Sequence, residues 1–377
     1  MRSFPVVFMR GGTSKGLMFH KEDLPEDRAQ WDNIFLQCMG NPDPKQIDGM
    51  GGTVSSNNKI VIVSKSERGG VDVDYLVGQV VVGKNQVDYK SNCGNMTSAP
   101  APFAIEEGMI ENLTEPVTTV RMYNENTRKL INVDVPVKDG KFNNEGECRI
   151  AGIDGTAGEL MVRFMNPAGS KTGKLLPTGN AMDTLNVEGV GEIDATILDV
   201  SNPMILLRAE DVGGDPTATP DQVNADKELS RKLEAVRAHV AAMLGFCDGP
   251  ENAAADSPAI PKIGFFSAPR EYTALGGETV LPEDMDVLVR VISVFKCHKA
   301  CPLTSAGAIS VCAALPGSIM EKTLAGAAGL EEVRIGHPSG IMAMRPHFAP
   351  GDTLDVTDVA VQRTARRIME GTIYIHD

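Results

Sequence analysis

Long apolar runs are missing from this 377-residue sequence. None of its apolar stretches approaches the roughly 20 residues that a membrane-spanning helix needs. The first segment, residues 1–9, meets Arg10 after too few apolar residues for a signal peptide. The sequence therefore predicts a cytoplasmic protein that does not bind a membrane.

Positive charge is also scarce. The chain has 36 Lys and Arg against 50 Asp and Glu, which gives a net charge of −14. This balance disfavours nonspecific binding to nucleic acid or to an anionic membrane surface. If the protein binds an anion, it must concentrate cations and backbone N–H donors in one place.

Cysteine is sparse, and its spacing forms no framework. Seven cysteines, an odd number scattered along a long chain, do not predict a set of disulfides. Cys297 and Cys301 flank His298, but no second Cys/His cluster supplies the remaining ligands of a structural zinc site. The glycine-rich segments match neither a P-loop nor a dinucleotide fingerprint. We therefore expect neither a metal nor a nucleotide cofactor.

One cysteine has an unusual setting. Cys93 lies in the segment Ser-Asn-Cys-Gly-Asn (91–95), just before a predicted helix start. Backbone N–H groups and the positive end of a helix dipole stabilise a thiolate, and Gly94 leaves room for a ligand. The alternative interpretation is an inert core thiol, because free cysteines are often buried. The polar neighbours favour Cys93 as a candidate acid/base.

Short β-branched segments separated by turn residues predict an α/β protein rich in strands. The predicted strands are 59–63, 79–82, 86–89, 118–122, 131–137, 160–164, 197–200 and 204–207. Residues 83–85 join the second and third of them as a hairpin. An amphipathic pattern predicts one long helix over residues 221–244.

Two other predicted helices are apolar on all sides. One follows Cys93, with Thr97 or Ser98 as its N-cap and Pro100 in its first turn. The other covers residues 304–315 and stops before a Pro-Gly pair. Each begins Thr-Ser-Ala, three or four residues after a cysteine.

This short repeat predicts two similar halves. Each half is expected to be a curved, mostly antiparallel sheet wrapped around one buried helix. We assign residues 1–184 to the first domain, to which C-terminal residues can return, and residues 185–377 to the second.

Nine short motifs are spread along nearly the whole chain. They are Arg-Gly-Gly-Thr-Ser-Lys-Gly (10–16), Gln-Ile-Asp-Gly-Met-Gly-Gly (46–52), Ser-Ser-Asn-Asn-Lys (55–59), Asp-Val-Asp-Tyr (72–75), Asn-Cys-Gly-Asn (92–95), Leu-Pro-Thr-Gly-Asn (176–180), Ser-Asn-Pro (201–203), Gly-His-Pro-Ser-Gly (336–340) and Arg-Thr-Ala-Arg-Arg-Ile-Met-Glu-Gly (363–371). In this order they resemble the 2-methylaconitate cis-trans isomerase family. The sequence departs from the relatives at Asn57 and Asn58, where those read Thr-Ser, and at Pro100 and Pro102.

The resemblance implies a diaminopimelate-epimerase-like fold of two similar α/β domains, with the active site in the cleft between them. Family members act without a cofactor on small unsaturated di- or tricarboxylates. They include 2-methylaconitate and aconitate isomerases, methylitaconate isomerases and 4-oxalomesaconate tautomerases. The family's acid/base pair carries over to Lys59 and Cys93. Without the resemblance, the alternative interpretation of Lys59 is a solvated lysine at a strand edge.

The chemistry explains the need for such a pair. An allylic proton next to a carboxylate is weakly acidic, so an enzyme must stabilise a dienolate-like anion while a positioned base removes the proton. Returning the proton to the same carbon after rotation gives cis-trans isomerisation, whereas returning it to the other end of the allyl system moves the double bond.

Three hypotheses follow. The leading one is a cofactor-free cis-trans isomerase of 2-methylaconitate or aconitate, which would serve propionate catabolism. The second is an allylic shift or tautomerisation of methylitaconate or oxalomesaconate. The third is a carboxylate-binding protein without activity.

The substrate's carboxylates need cations, hydroxyls and N–H donors, which the polar glycine turns offer. The candidate contacts are Arg10, Gly12, Thr13, Ser14, Gly52, Thr53, Ser55, Ser56, Asn92, Gly94, Asn95, Thr178, Gly179, Asn180, Ser339 and Gly340. For each turn, the alternative is a tight connection between strands. Weaker candidates are His337, Cys301 and the cluster of Lys296, His298 and Lys299. A homodimer is left open.

Overall fold

The computed structural model describes residues 1–89, 93–324 and 329–376. The strands in these ranges are β1 (Arg2–Gly11), β2 (Ser14–His20), β3 (Lys59–Lys65), β4 (Val73–Val80), β5 (Val87–Asp88), β6 (Val117–Asn124), β7 (Lys129–Lys138), β8 (Lys141–Phe142), β9 (Leu160–Met165), β10 (Asp183–Val187), β11 (Gly191–Val200), β12 (Asn202–Arg208), β13 (Lys262–Ser267), β14 (Tyr272–Thr273), β15 (Thr279–Val280), β16 (Val287–Ser293), β17 (Lys296–Cys297), β18 (Val333–His337), β19 (Gly340–Ala349), β20 (Asp352–Arg363) and β21 (Ala365–Ile375). The α-helices are α1 (Trp31–Met39), α2 (Pro100–Glu106), α3 (Ala209–Val212), α4 (Pro220–Ala225), α5 (Lys227–Met243), α6 (Ala253–Asp256), α7 (Leu303–Ala314) and α8 (Ile319–Thr323). None of the helices in the described ranges is both long and apolar enough to cross a membrane.

The chain divides into two compact units, and unit 1 contains residues 1–165 and 362–377. Strand β1 pairs antiparallel with β2 on one side and with β21 on the other. The order then continues as β2–β3 parallel, β3–β4 antiparallel, β4–β6 parallel, β6–β7 antiparallel and β7–β9 antiparallel. The last strand of the chain thus completes the sheet that the first strand begins.

Unit 2, residues 166–361, repeats this pattern. Its pairings run β11–β12 antiparallel, β12–β13 parallel, β13–β16 antiparallel, β16–β18 parallel, β18–β19 antiparallel and β19–β20 antiparallel. The directions of these pairings follow the same order as those from β1–β2 to β7–β9 in unit 1. The repeat therefore extends far beyond the Thr-Ser-Ala match. In this division residues 166–184 belong to unit 2, which differs from the boundary after residue 184 that the sequence indicated. The backbone explains it, because Gly169 N–H donates to Asp199 O of β11 at 2.8 Å.

Each unit holds one helix that is buried on all sides. Residues 100–105 of α2 and residues 305–314 of α7 are all buried. In unit 1, alternate residues of β1, β2 and β3 face opposite ways. Phe8, Leu17 and Ile60 pack with α1, and the intervening residues lie on the face toward α2. Strands covered on both faces explain the nearly continuous apolar runs of the sequence.

Two local predictions are wrong. The N-cap of α2 is Ala99, because residues 96–98 form a 3-10 turn in which Thr97 Oγ1 donates to Cys93 O at 3.1 Å and Ser98 Oγ donates to Asn95 O at 2.7 Å. The amphipathic segment 221–244 is not one helix. Asp226 interrupts it, since its side chain accepts from Leu229 N–H at 2.9 Å and caps the start of α5.

Candidate active site

The tip of the β1–β2 hairpin is held against the turn that contains Cys93. Gly12 has a φ of +51°, and a Cβ there would lie 2.6 Å from Asn95 Oδ1, so only glycine fits. Asn95 Nδ2 donates to Thr13 Oγ1 at 2.9 Å. The tip is also hydrogen-bonded to the residue just before β21, because Gly12 N–H donates to Thr364 O at 2.9 Å. Four predicted site residues, Gly12, Thr13, Ser14 and Asn95, are therefore neighbours of Cys93.

Cys93 itself is half-buried, and its Sγ lies 3.8 Å from Ser14 Oγ. Its carbonyl oxygen accepts from Thr97 N–H at 3.0 Å, which fixes the turn to the start of the central helix. Ser14 is buried, with 4% of its surface exposed. The thiol thus lies beside a hydroxyl group and is not enclosed in the core. A substrate can therefore reach it, as a general acid/base requires.

Lys59 opens strand β3 and lies directly opposite Gly16 of β2 and Gln79 of β4. Its Nζ donates to Gln79 Oε1. Gln79 Nε2 in turn donates to the carbonyl oxygens of Asn58 at 3.1 Å and Val80 at 2.9 Å, which orients the amide oxygen toward the lysine. Because β3 is paired on both sides, Lys59 is not at a sheet edge.

Gly16 connects the two candidates. A Cβ on Gly16 would lie 2.7 Å from Lys59 Cβ, so the lysine side chain lies over the position where a side chain of residue 16 would stand. Ser14, two residues earlier on β2, points to the same face and is about 7 Å away along the strand. Lys59 and Cys93 therefore lie on the same face of the β2–β3 sheet. Lys59 lies beside Gly16, and Cys93 lies beside Ser14, two residues earlier on β2.

A second polar turn leads into Lys59. Gln46 Oε1 accepts from Thr53 N–H at 2.8 Å, and Gln46 Nε2 donates to Asn58 Oδ1. Both Gln46 and Asn58 are buried. Gly52 lies against Asn57, and Ser55 and Ser56 belong to the 3-10 turn that precedes β3. Sequence reasoning missed Gln46 and Gln79, whose roles depend on contacts across strands.

The predicted contacts of unit 2 lie in tight turns. Thr178 Oγ1 and Asn180 Nδ2 both donate to the Asp183 carboxylate at 2.8 Å, around Gly179 with its φ of +87°. Ser339 Oγ donates to Lys299 O at 2.5 Å, and Gly340 O accepts from the Tyr272 hydroxyl at 2.8 Å. These polar groups have partners within unit 2.

Unit 2 also contains a lysine that matches Lys59 by position in the repeat. Lys262 opens β13 as Lys59 opens β3, and its Nζ donates to Thr304 Oγ1 at 3.3 Å. Burial lowers the pKa of Lys262 and raises the pKa of nearby Cys301 to about 12. Cys301 is 4% exposed, so it is a core thiol, unlike Cys93.

One predicted contact, Asn92, lies outside the described residues. Within the described ranges, no group of three or more His, Cys, Asp or Glu side chains could hold a metal ion.

Comparisons with known proteins find relatives that match nearly the whole chain. The chain is 38% identical to the 3-methylitaconate isomerase of Eubacterium barkeri, over 98% of this chain and 97% of that protein. It is 40% identical to the 2-methyl-aconitate isomerase of Shewanella oneidensis, over 98% and 96%. The crystal structure of a methylitaconate-delta-isomerase matches with a TM-score of 0.91 at 38% identity, covering 99% of this chain and 96% of that one.

These relatives show that the protein is an enzyme of the isomerase class, and they confirm the predicted α/β fold. Residues 1–376 match the PrpF protein family. The chain belongs to the PrpF family, as the motifs indicated.

Proposed function

We propose that the protein isomerises a small unsaturated di- or tricarboxylate of the aconitate type, without a cofactor. The relatives named above act, by their names, on 2-methylaconitate and methylitaconate, and a 35% identical protein of Novosphingobium is a (4E)-oxalomesaconate Delta-isomerase. The observation that carries the proposal is that Lys59 and Cys93 lie on one face of the β2–β3 sheet. The leading substrates are 2-methylaconitate and aconitate, converted between cis and trans forms.

In the proposed reaction, Nζ of Lys59 removes an allylic proton from the substrate. The electron pair of the broken C–H bond spreads over the double bond and the adjacent carboxylate as a dienolate-like anion. Hydroxyl and amide groups of Thr13, Ser14 and Asn95 donate to the carboxylates as negative charge develops. Return of the proton from Lys59 after rotation gives the cis-trans isomer.

Cys93 determines the alternative outcome. If its thiol protonates the other end of the allyl system, the double bond moves and Lys59 keeps the proton that it removed. Ser14 beside Sγ can donate to the thiolate that this step leaves. The same pair therefore supports an allylic shift as the second candidate function, which the methylitaconate isomerase relatives favour.

Proton NMR in deuterated water distinguishes these functions. The enzyme is incubated with cis-aconitate, 2-methylaconitate, methylitaconate and oxalomesaconate, with and without a chelator. We expect isomerisation of an aconitate-type acid with deuterium incorporated at the allylic carbon, and no effect of the chelator. A double-bond shift would favour the second candidate. Ligand-induced thermal stabilisation without exchange on any acid would instead indicate a binding protein and contradict the proposal.

A further inference from the structure

Three cations form a row across three neighbouring strands. The pairing register places Lys15 of β2 opposite Arg10 of β1, and Arg10 opposite Arg366 of β21. Residues paired in this way share a face and have Cβ atoms about 5 Å apart. Among the described residues, none of the three forms an ion pair with a carboxylate. Like charges directly opposite each other destabilise a sheet, so this row needs a compensating charge.

Arg10 is held in this row. Its Nη1 donates to Gly12 O at 2.9 Å, Thr364 O at 3.0 Å and Thr364 Oγ1 at 2.9 Å. Burial and the neighbouring charge of Arg366 lower the pKa of Arg10. Since these three contacts anchor the guanidinium, it cannot turn away from Arg366.

A pocket of about 210 Å³ lies against the two arginines. Its other wall is the segment 144–157, which contributes Asn144, Cys148 and Thr156, together with one carboxylate, Asp154. Asp154 makes no ion pair with either arginine in the described structure. At about 30 Å³ for each water molecule of the liquid, the pocket has room for a small polyanion.

A further cation adds to the positive potential here. Arg363 interacts electrostatically with Cys148 of the pocket wall, and its buried Nε has no hydrogen-bond partner in the described structure. In a chain of net charge −14, such a concentration of unpaired arginine is what anion binding requires.

The pocket wall reaches the hairpin tip, since a Cβ on Gly152 would lie 3.2 Å from Thr13 Cγ2, but the register places the cations on the other face of the sheet from Lys59. Gly11 pairs with Ser14, so these two residues share a face, and Arg10 and Lys15 point to the opposite face. Lys15 Nζ accordingly lies 5.6 Å from the centre of the Phe8 ring, on the face that packs with α1. The row and the Lys59–Cys93 pair lie on opposite faces of one sheet.

We infer that the pocket between Arg10, Arg366 and the segment 144–157 is a second anion site, which binds a small polycarboxylate or inorganic phosphate. A bound anion neutralises the row of like charges. It thereby stabilises the β1–β2 hairpin, whose tip holds Thr13 and Ser14 beside Cys93. Anion binding on the arginine face of the sheet thus stabilises the positions of site residues on the Lys59 face.

The half-buried thiol of Cys148 serves as a local reporter. The full-length protein is treated with iodoacetamide, and alkylation of Cys148 is followed by peptide mass spectrometry in citrate, in phosphate, or in sodium chloride of equal ionic strength. An anion present at about ten times its Kd should slow alkylation about tenfold, because only the unoccupied pocket reacts. Chloride should have little effect. Whichever of citrate and phosphate protects Cys148 more strongly shows whether the pocket prefers a polycarboxylate or inorganic phosphate.

Arg366→Gln should remove the protection, since Arg366 is exposed and its replacement leaves the core intact. Arg2→Gln, which removes one positive charge from the start of β1, should keep the protection. Failure of both anions to protect the wild type, or equal protection in Arg366→Gln, would overturn the inference. Alkylation of Cys93 in the same samples reports separately on the catalytic face, so a failure of the proposed function is distinguishable.

Discussion

Gly16 of β2 lies directly opposite Lys59 of β3, and a Cβ on Gly16 would lie 2.1 Å from the Lys59 carbonyl oxygen. No rotamer change relieves such a contact, because the obstacle is backbone. The glycine of the Ser-Lys-Gly segment is thus required by the lysine of the neighbouring strand.

Replacing Gly16 with alanine should therefore separate β2 from β3. We expect the free energy of unfolding to fall by about 3 kcal/mol or more, at the upper end of overpacking costs, and turnover to be lost as Lys59 moves. Urea denaturation and activity assays measure both. Gly69→Ala is the control, since a Cβ there meets nothing within 4 Å. Wild-type stability of Gly16→Ala would show that the strands do not approach this closely.

Cys93→Ser should keep the fold and carboxylate binding, because the two side chains are similar in volume and the turn is held by Asn95 and Thr97. Turnover should fall by about two to four orders of magnitude, the usual contribution of a general acid/base. Malonate should protect the wild-type thiol against alkylation.

Cys301→Ser is the matched variant, since Cys301 precedes the central helix of unit 2 as Cys93 precedes that of unit 1. It should reduce turnover much less, because Cys301 is enclosed in the core. If Cys301→Ser abolished turnover and Cys93→Ser did not, the chemistry would belong to unit 2.

Lys59→Met should reduce turnover by about two to four orders of magnitude. Gln79→Leu removes the acceptor that orients Lys59 Nζ and should lower kcat by about 10- to 100-fold with little change in KM, as expected of a positioning residue. Steady-state kinetics with an aconitate-type acid measures both. Gln86→Leu, an exposed glutamine between β4 and β5, is the control. A Gln79→Leu enzyme with normal kcat would contradict the positioning role.

The stability of the protein should decrease in alkaline solution. Burial raises the pKa of Cys38, Cys301 and Cys312 from 9.0 to about 12. Their contribution is complete below pH 9.0 and is lost as the pH rises toward about 12, since the unfolded chain ionises first. Cys297, whose pKa is raised to about 11, adds to this loss, whereas the lowered pKa of Lys262 and that of Arg363, lowered to about 10, oppose it.

Urea midpoints between pH 8 and pH 10.5 test this. Cys312→Ala should lower the midpoint at pH 8, because it leaves a cavity. It should also make the free energy of unfolding fall less steeply with pH, by up to about 1.4 kcal/mol per pH unit. An unchanged slope in this variant would mean that Cys312 ionises freely in the folded state.

The sequence predicted those parts of the fold that depend on local patterns. The β-branched run at residues 59–63 gave β3, and the uniformly apolar segment at 304–315 gave α7, because composition alone identifies buried strands and helices. Local pattern failed at α2, where Thr97 and Ser98 turn back to Cys93 O and Asn95 O. A hydroxyl that closes a 3-10 turn looks the same in sequence as one that caps a helix.

Part of the candidate site could be inferred from the sequence, and the roles of its residues stay predictions. The Asn-Cys-Gly-Asn turn indicated Cys93, and the resemblance indicated Lys59. Gln79 and Arg366 were not identified, because the roles proposed for them depend on strand register, which no local window of sequence contains. Lys262 was missed for a related reason, since only the order of pairings matches it to Lys59.

The return of β21 to β1 has a consequence for biosynthesis. Strand β1 is synthesised before unit 2, but its antiparallel partner β21 ends at Ile375, after all of unit 2 has been made. Unit 2 is a continuous segment and can fold while the chain is still being made, whereas one edge of β1 has to wait. Contacts between such distant parts of a chain form slowly, because a large loop must close first. A nascent chain of this protein therefore carries an unpaired, apolar strand edge until β21 has been made, and such an edge is the kind of surface that chaperones shield.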